Sequence, residues 1–158
     1  MPSDETIESI AKVIHANYRQ ATPADDPAHH PAMRDWPDLD EVHRAQNRDQ
    51  ARDNVAKLAM LGLSVVSQAE GEPDLGLSDE QVLKLGRIEH DRWAEQKRAQ
   101  GYRYGCERTD EGPDLRHPSL VPWDRLPDTE KRKDLDSVRA IPSVLAQAGL
   151  GLTRRAFR

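Results

Sequence analysis

The chain has 158 residues, a formal net charge of −5, and 32% charged against 36% hydrophobic residues. A mean hydropathy of −0.85 and a pI of about 5.7 describe one very soluble domain, or two small halves sharing a thin core, and argue against general binding to nucleic acid or to an anionic membrane. No run approaches the roughly 18 apolar residues of a membrane span, the N-terminus lacks the build of a signal peptide, and a single Cys106 excludes an internal disulfide framework and suits a reducing cytoplasm.

Ser3 and Asp4 can cap a first helix whose apolar stripe reads Ile7, Ile10, Ile14 and Tyr18. A loop carrying Pro23, Pro27 and Pro31 comes next, then the anchor Trp36-Pro-Asp-Leu39, then a helix over about Asp49 to Leu61 that stops at Gly62. Residues 68–76 read as a linker. Ser78-Asp-Glu-Gln81 is a capping-box start to a helix with Val82, Leu85, Ile88 and Trp93 at helical spacing. Gly101 and Gly105 bracket Tyr-Arg-Tyr as a turn or short hairpin, and Pro118 and Pro122 hold the next run extended. The last helix carries Leu135, Val138, Ile141, Val144 and Leu145, with Pro142 opening a fresh turn and Gly149 as the stop; residues 152–158 read as a loose basic tail.

A repeat lies in this order. A shift of 87 positions carries Gly62 onto Gly149, Trp36 onto Trp123, Leu39 onto Leu126 and Asn47 onto Asp134, while a shift of 75 carries His15 onto His90 and Tyr18 onto Trp93. The difference of 12 residues between 75 and 87 is an extra loop in the second copy. The expected fold is therefore mostly α, built of two pseudo-twofold-related repeats (1–67, degenerate, and 77–151), each a pair of helices with a long loop carrying short β-strands. One asymmetry stands out: Glu89 falls on the stripe Leu85–Glu89–Trp93 where the first copy has Ile14. A buried carboxylate there needs a partner, and Arg87 and Arg92 are within reach.

Glu89-His-Asp-Arg-Trp93, Gly101-Tyr-Arg-Tyr-Gly105, His117-Pro-Ser-Leu-Val-Pro122 and Leu126-Pro with Glu130-Lys-Arg and Asp134 together resemble the ryanodine-receptor repeat, the RyR domain. Its pattern runs His-x-x-Trp, Gly-Trp-x-Tyr-Gly, His-Pro-x-Leu-Val, then Leu-Pro-Glu. The second copy follows it closely and the first is degenerate. The family occurs as tandem repeats in the cytoplasmic shell of calcium-release channels and as modules in bacterial and phage proteins. The resemblance implies a mostly helical, non-catalytic, cytoplasmic module of the stand-alone bacterial or phage type. It also implies an aromatic pair, here Tyr18 and Trp93, able to hold the base of a nucleotide in the groove between the repeats. Around that pair it places Asn47, Asp134 and Ser119, with His117 close by. Asp134 departs from the receptor's Asn, and its charge disfavours phosphate if it faces the site.

Two function classes emerge from these residues. One is a small-molecule sensor for a nucleotide or nucleotide-derived signal, contacted by Tyr18, Trp93, Asn47, Asp134, Ser119, His117, Glu89, His90 and Arg103. The other is a protein-interaction or architectural module, with Tyr102-Arg-Tyr104 as contact surface and Tyr18 and Trp93 as plain core filler. Lys97, Arg98 and Arg103 read as a solvated basic face or as a phosphate clamp. His29, His30, His43, His90 and His117 have no metal-site spacing, no cofactor motif occurs, and the hydrolase, zincin and phosphate-loop signatures are missing.

Overall fold

The computed structural model describes residues 2–22, 30–73 and 75–155. They are mostly helical, as expected. The order is α1 (Asp4–Ala21), 3-10 turns at Pro31–Met33 and Trp36–Asp38, α2 (Glu41–Met60), β1 (Leu63–Ser67) and a 3-10 turn at Gln68–Glu70. Then come α3 (Asp79–Ala99), β2 (Arg103–Tyr104), β3 (Arg116–His117), a 3-10 turn at Trp123–Arg125, α4 (Asp128–Arg139), α5 (Ile141–Gln147) and β4 (Leu150–Arg154). Part of the first Pro-rich loop, with Pro23, Pro27 and His29, and the tail residues 156–158 lie outside the described residues.

Helix starts follow the capping chemistry of the sequence. The Ser3 hydroxyl accepts from the Thr6 amide at 3.2 Å and Asp40 accepts from the His43 amide at 2.9 Å. The capping box of α3 is complete, with Gln81 N–H on Ser78 Oγ at 3.2 Å and Ser78 N–H on Gln81 Oε1 at 2.9 Å. Because Asp40 supplies a cap, α2 begins well before the expected Asp49. Gly62 and Gly149 each stop a helix at φ 74°, a conformation open to glycine and strained for other residues.

Two compact units result, Met1–Gly76 with Ile141–Arg158, and Leu77–Ala140. In the first, α1 packs on α2 and α5, and Ile7, Ile10, Ala11, Leu58, Ile141 and Leu145 are buried. Its sheet pairs β1 with β4 antiparallel, with Val65 opposite Leu152. Residues 152–154, expected as loose tail, are thus strand, and Leu152 is 4% exposed. In the second unit α3 packs on α4, with Val82, Leu85, Ala94, Leu120, Trp123, Leu126 and Val138 as core.

Residues related by the sequence shifts make similar bonds. His15 Nε2 donates to the Arg34 carbonyl at 2.6 Å, and its counterpart His90 donates to the Val121 carbonyl at 2.7 Å. Trp36 lies tilted against His15 with centroids 6.0 Å apart, and Trp123 against His90 at 6.1 Å. The shift of 75 thus carries the histidine, and the shift of 87 carries both its carbonyl and its tryptophan. The expected apolar stripe of α1 is rotated: Ala11 and His15 are buried, whereas Ile14 is half-buried and Tyr18 is 50% exposed. A histidine whose N–H meets a carbonyl can be buried at little cost, and that frees the aromatic ring three residues on.

Candidate functional site

The second unit holds a cleft of about 420 Å³ between the C-terminal part of α3, the 103–119 loop and α4. His90 and Trp93 come from successive turns of α3, three residues apart and therefore on one face. Their rings lie 5.8 Å apart at 25°. Trp93 meets His117 edge-on at 4.8 Å, and His117 meets Tyr102 at 6.4 Å. The remaining wall mixes polar Arg108, Ser119, Glu130, Lys133 and Asp134 with apolar Pro118 and Leu126.

The loop that supplies Arg108 and His117 is shaped by backbone pairing. β2 runs parallel to β3, with Arg103 opposite Arg116 and Tyr104 opposite His117, so the Tyr-Arg-Tyr segment is a parallel pair rather than a hairpin. Thr109 forms an antiparallel bridge to Arg116, its N–H 2.9 Å from the Arg116 carbonyl. Gly105 is required for this closeness, since a Cβ there would lie 2.8 Å from the Cβ of Arg116. His117 Nδ1 accepts from the Ser119 amide at 3.1 Å, which leaves the proton of the neutral ring on Nε2. Burial, reinforced by the charges of Arg108 and Lys97, holds this imidazole below its ordinary pKa.

The first unit holds a cleft of about 440 Å³ lined by Ile14, His15, Tyr18, Ala32, His43, Gln46, Asn47 and Gln50. Several of its lining positions map onto those of the Trp93 cleft by the sequence shifts of 75 and 87. His15 and Tyr18 correspond to His90 and Trp93, and Ala32, His43, Gln46 and Asn47 to Ser119, Glu130, Lys133 and Asp134. Only the chemistry differs. The first cleft is lined by amides and histidines, whereas Glu130, Lys133, Asp134 and Arg108 charge the second.

Of the residues singled out in the sequence, Trp93, His90, His117, Ser119 and Asp134 meet in one cleft, and Tyr18 and Asn47 meet in the other. Glu89 and Arg103 line neither. Glu89 is 7% exposed, with Arg92 Nη2 at 2.6 Å and Nε at 3.0 Å, a two-pronged ion pair within α3. Arg103 is exposed on β2. Arg108, Glu130 and Lys133 are site residues that the sequence reading does not reach. Glu130 and Lys133 are legible in principle, since they lie at helical spacing from Asp134 and correspond to His43 and Gln46. Arg108 sits in irregular backbone, where spacing does not tell which way a side chain points. Among the described residues no group of His, Cys, Asp and Glu is placed to hold a metal, and no helix is long and apolar enough to cross a membrane.

Residues 78–154, from α3 through β4, match the family model of the RyR domain. No curated protein is similar enough to the chain to count as a match.

Proposed function

We propose, from the match of residues 78–154 to the RyR-domain model, that the chain is a non-catalytic, cytoplasmic sensor module that binds a nucleotide or nucleotide-derived small molecule. The observation that carries this reading is the pair of equivalent clefts. Each sets a partly exposed aromatic ring, Trp93 or Tyr18, beside a buried histidine and an Asp or Asn. An aromatic wall with a few convergent polar groups suits a planar heterocycle, which stacks on the ring and exchanges hydrogen bonds at its edge. Trp93, Tyr18, Asn47, Asp134, Ser119, His117 and His90 are its contacts in this reading; Glu89 supports α3 from behind.

Calorimetry with ATP, ADP, ADP-ribose and cyclic dinucleotides tests it. Saturable heat from one of these, lost in Trp93→Ala while the variant stays folded, is the expected result. Silence from all of them favours a protein-interaction module instead, for which Tyr104, 52% exposed on β2, is the available contact.

A further inference from the structure

The two clefts share a framework, so the features that only one possesses are informative. The second copy carries the additional 12 residues between its leading helix and its Trp anchor (the shift grows from 75 to 87). The first copy builds helix, two 3-10 turns, helix and strand without them. These residues nonetheless hold a specific arrangement. Tyr102 Oη donates to Asp110 Oδ1 at 2.8 Å, and Arg108 Nε lies 3.0 Å from Oδ1 and 2.9 Å from Oδ2 of the same carboxylate. The Thr109–Arg116 bridge fixes the backbone beside both. Asp110 therefore grips the Nε edge of the guanidinium. Both Nη atoms keep their donors without a hydrogen-bond partner among the described residues, on a side chain that lines the Trp93 cleft.

A salt bridge at an exposed site contributes little stability by itself. Here one carboxylate takes both a phenol and a guanidinium, which orients more than it stabilises. The shifts agree: the hydrogen bonds from Arg108 and then Tyr102 hold Asp110 below the usual carboxylate range, and the bond to Asp110 raises Tyr102. His117 lines the same cleft. Lys133 also faces it and is paired with Glu130 at 3.0 Å, as Arg108 is with Asp110, and Asp134 sits beside His90 with Nδ1 to Oδ2 at 3.7 Å. Glu130 and Asp134 repel an anionic group, whereas the Nη donors that Asp110 leaves unused on Arg108 can bind one. A planar guanidinium with two free Nη atoms matches phosphate oxygens.

We propose that Arg108 is the phosphate contact of the Trp93 cleft and that Asp110 is the positioning residue that aims it. That the ligand bears phosphate rests on the small-molecule reading above. The first cleft, lined by no Arg or Lys, is the part of the molecule that lacks this function.

The test is a titration of the full chain with inorganic pyrophosphate, monitored by 1H–15N spectra that include the Arg side-chain Nε–H signals. Saturable shifts at Arg108, Thr109 and His117 are expected, weakened about ten- to a hundredfold in Arg108→Gln and unchanged in Arg103→Gln. The absence of such shifts, their persistence in Arg108→Gln, or equal weakening by Arg103→Gln overturns the proposal. Adenosine and AMP form the second arm. AMP should bind more tightly than adenosine, and Arg108→Gln should erase the difference while leaving adenosine affinity intact. Asp110→Asn should erase part of it, with partial rescue by Asp110→Glu; equal loss of adenosine and AMP in Asp110→Asn would make Asp110 merely structural. Pyrophosphate bound at Arg108 with neither adenosine nor AMP bound sinks the nucleotide reading alone. Equal binding of adenosine and AMP, indifferent to Arg108→Gln, sinks Arg108 alone.

Discussion

Glu89 shows how far a single residue can be read at the level of sequence. Its place on the Leu85–Trp93 stripe demands a cationic partner, and Arg92 supplies one through Nε and Nη2, one edge of its guanidinium. Glu89→Gln keeps the shape but leaves Arg92 facing an amide that accepts with only one atom. A loss of about 1.5–3 kcal/mol in denaturant melts is expected, with ligand affinity little changed. Unaltered stability would mean that the Arg92 pair contributes nothing. His117 behaves differently. Because the fold disfavours its charged form, the unfolded chain takes up the proton first. The stability linked to this group is full above the ordinary value of 6.5 and falls as the pH drops below it. Between about pH 7.5 and about pH 5.5 the wild type should lose more melting temperature than His117→Gln, whose amide oxygen can still accept the Ser119 N–H. Equal losses would place the titration elsewhere. His15 and His90 are legible as structural histidines whose N–H meets a backbone carbonyl, as both do, although the apolar stripe through Ile14 and Tyr18 does not place His15 in the interior. The satisfied Nε2–H that permits a buried histidine depends on a carbonyl far along the chain.

At the scale of elements, repetition makes the anchors legible. Trp-x-x-Leu recurring at a shift of 87 marks a 3-10 turn in both copies, with Leu39 and Leu126 buried behind it. Trp123 is 7% exposed, against His90 and the α3 backbone near Gly86. Trp36 serves less fully as an anchor; it is half-buried, hydrogen-bonded to Glu8 at 3.2 Å, with Arg44 and Arg48 each 5.9 Å from its ring. Trp123→Ala should therefore cost about 3–5 kcal/mol as a cavity in a small core. Trp93→Ala, at the cleft wall, should cost about 1–2 kcal/mol and remain folded. Denaturant melts of the two variants decide this, and greater destabilisation by Trp93→Ala would remove the aromatic wall from the proposed site. Two glycines flanking Tyr102-Arg-Tyr104 suggest a turn or short hairpin at the start of the loop after α3. The parallel partner at 116–117 lies beyond any local signal, so the path that carries Arg108 into the cleft is invisible in the sequence too.

At the scale of the whole molecule, sequence repeats and compact units do not coincide. The RyR match ends at Arg154, yet the chain from Ile141 onward packs within the unit formed by the first 76 residues. The reason is the strand pairing: β1 closes the first repeat, β4 closes the second, and the two pair with each other. A strand of five residues has no stability alone, so each repeat's terminal strand depends on its counterpart. In the sequence the two strands are marked only by the equivalent glycines that precede them, and no pattern within a repeat specifies pairing between repeats. The consequence is measurable at Leu152, which lies within the matched domain but is buried opposite Val65. Leu152→Ala should cost about 2–5 kcal/mol. Hydrogen exchange should show lost protection first in β1, α5 and the α1 face that packs on α5, while α3 and α4 keep theirs. If α3 and α4 open first, the second unit depends on β4, and the strand belongs energetically to the repeat that encodes it.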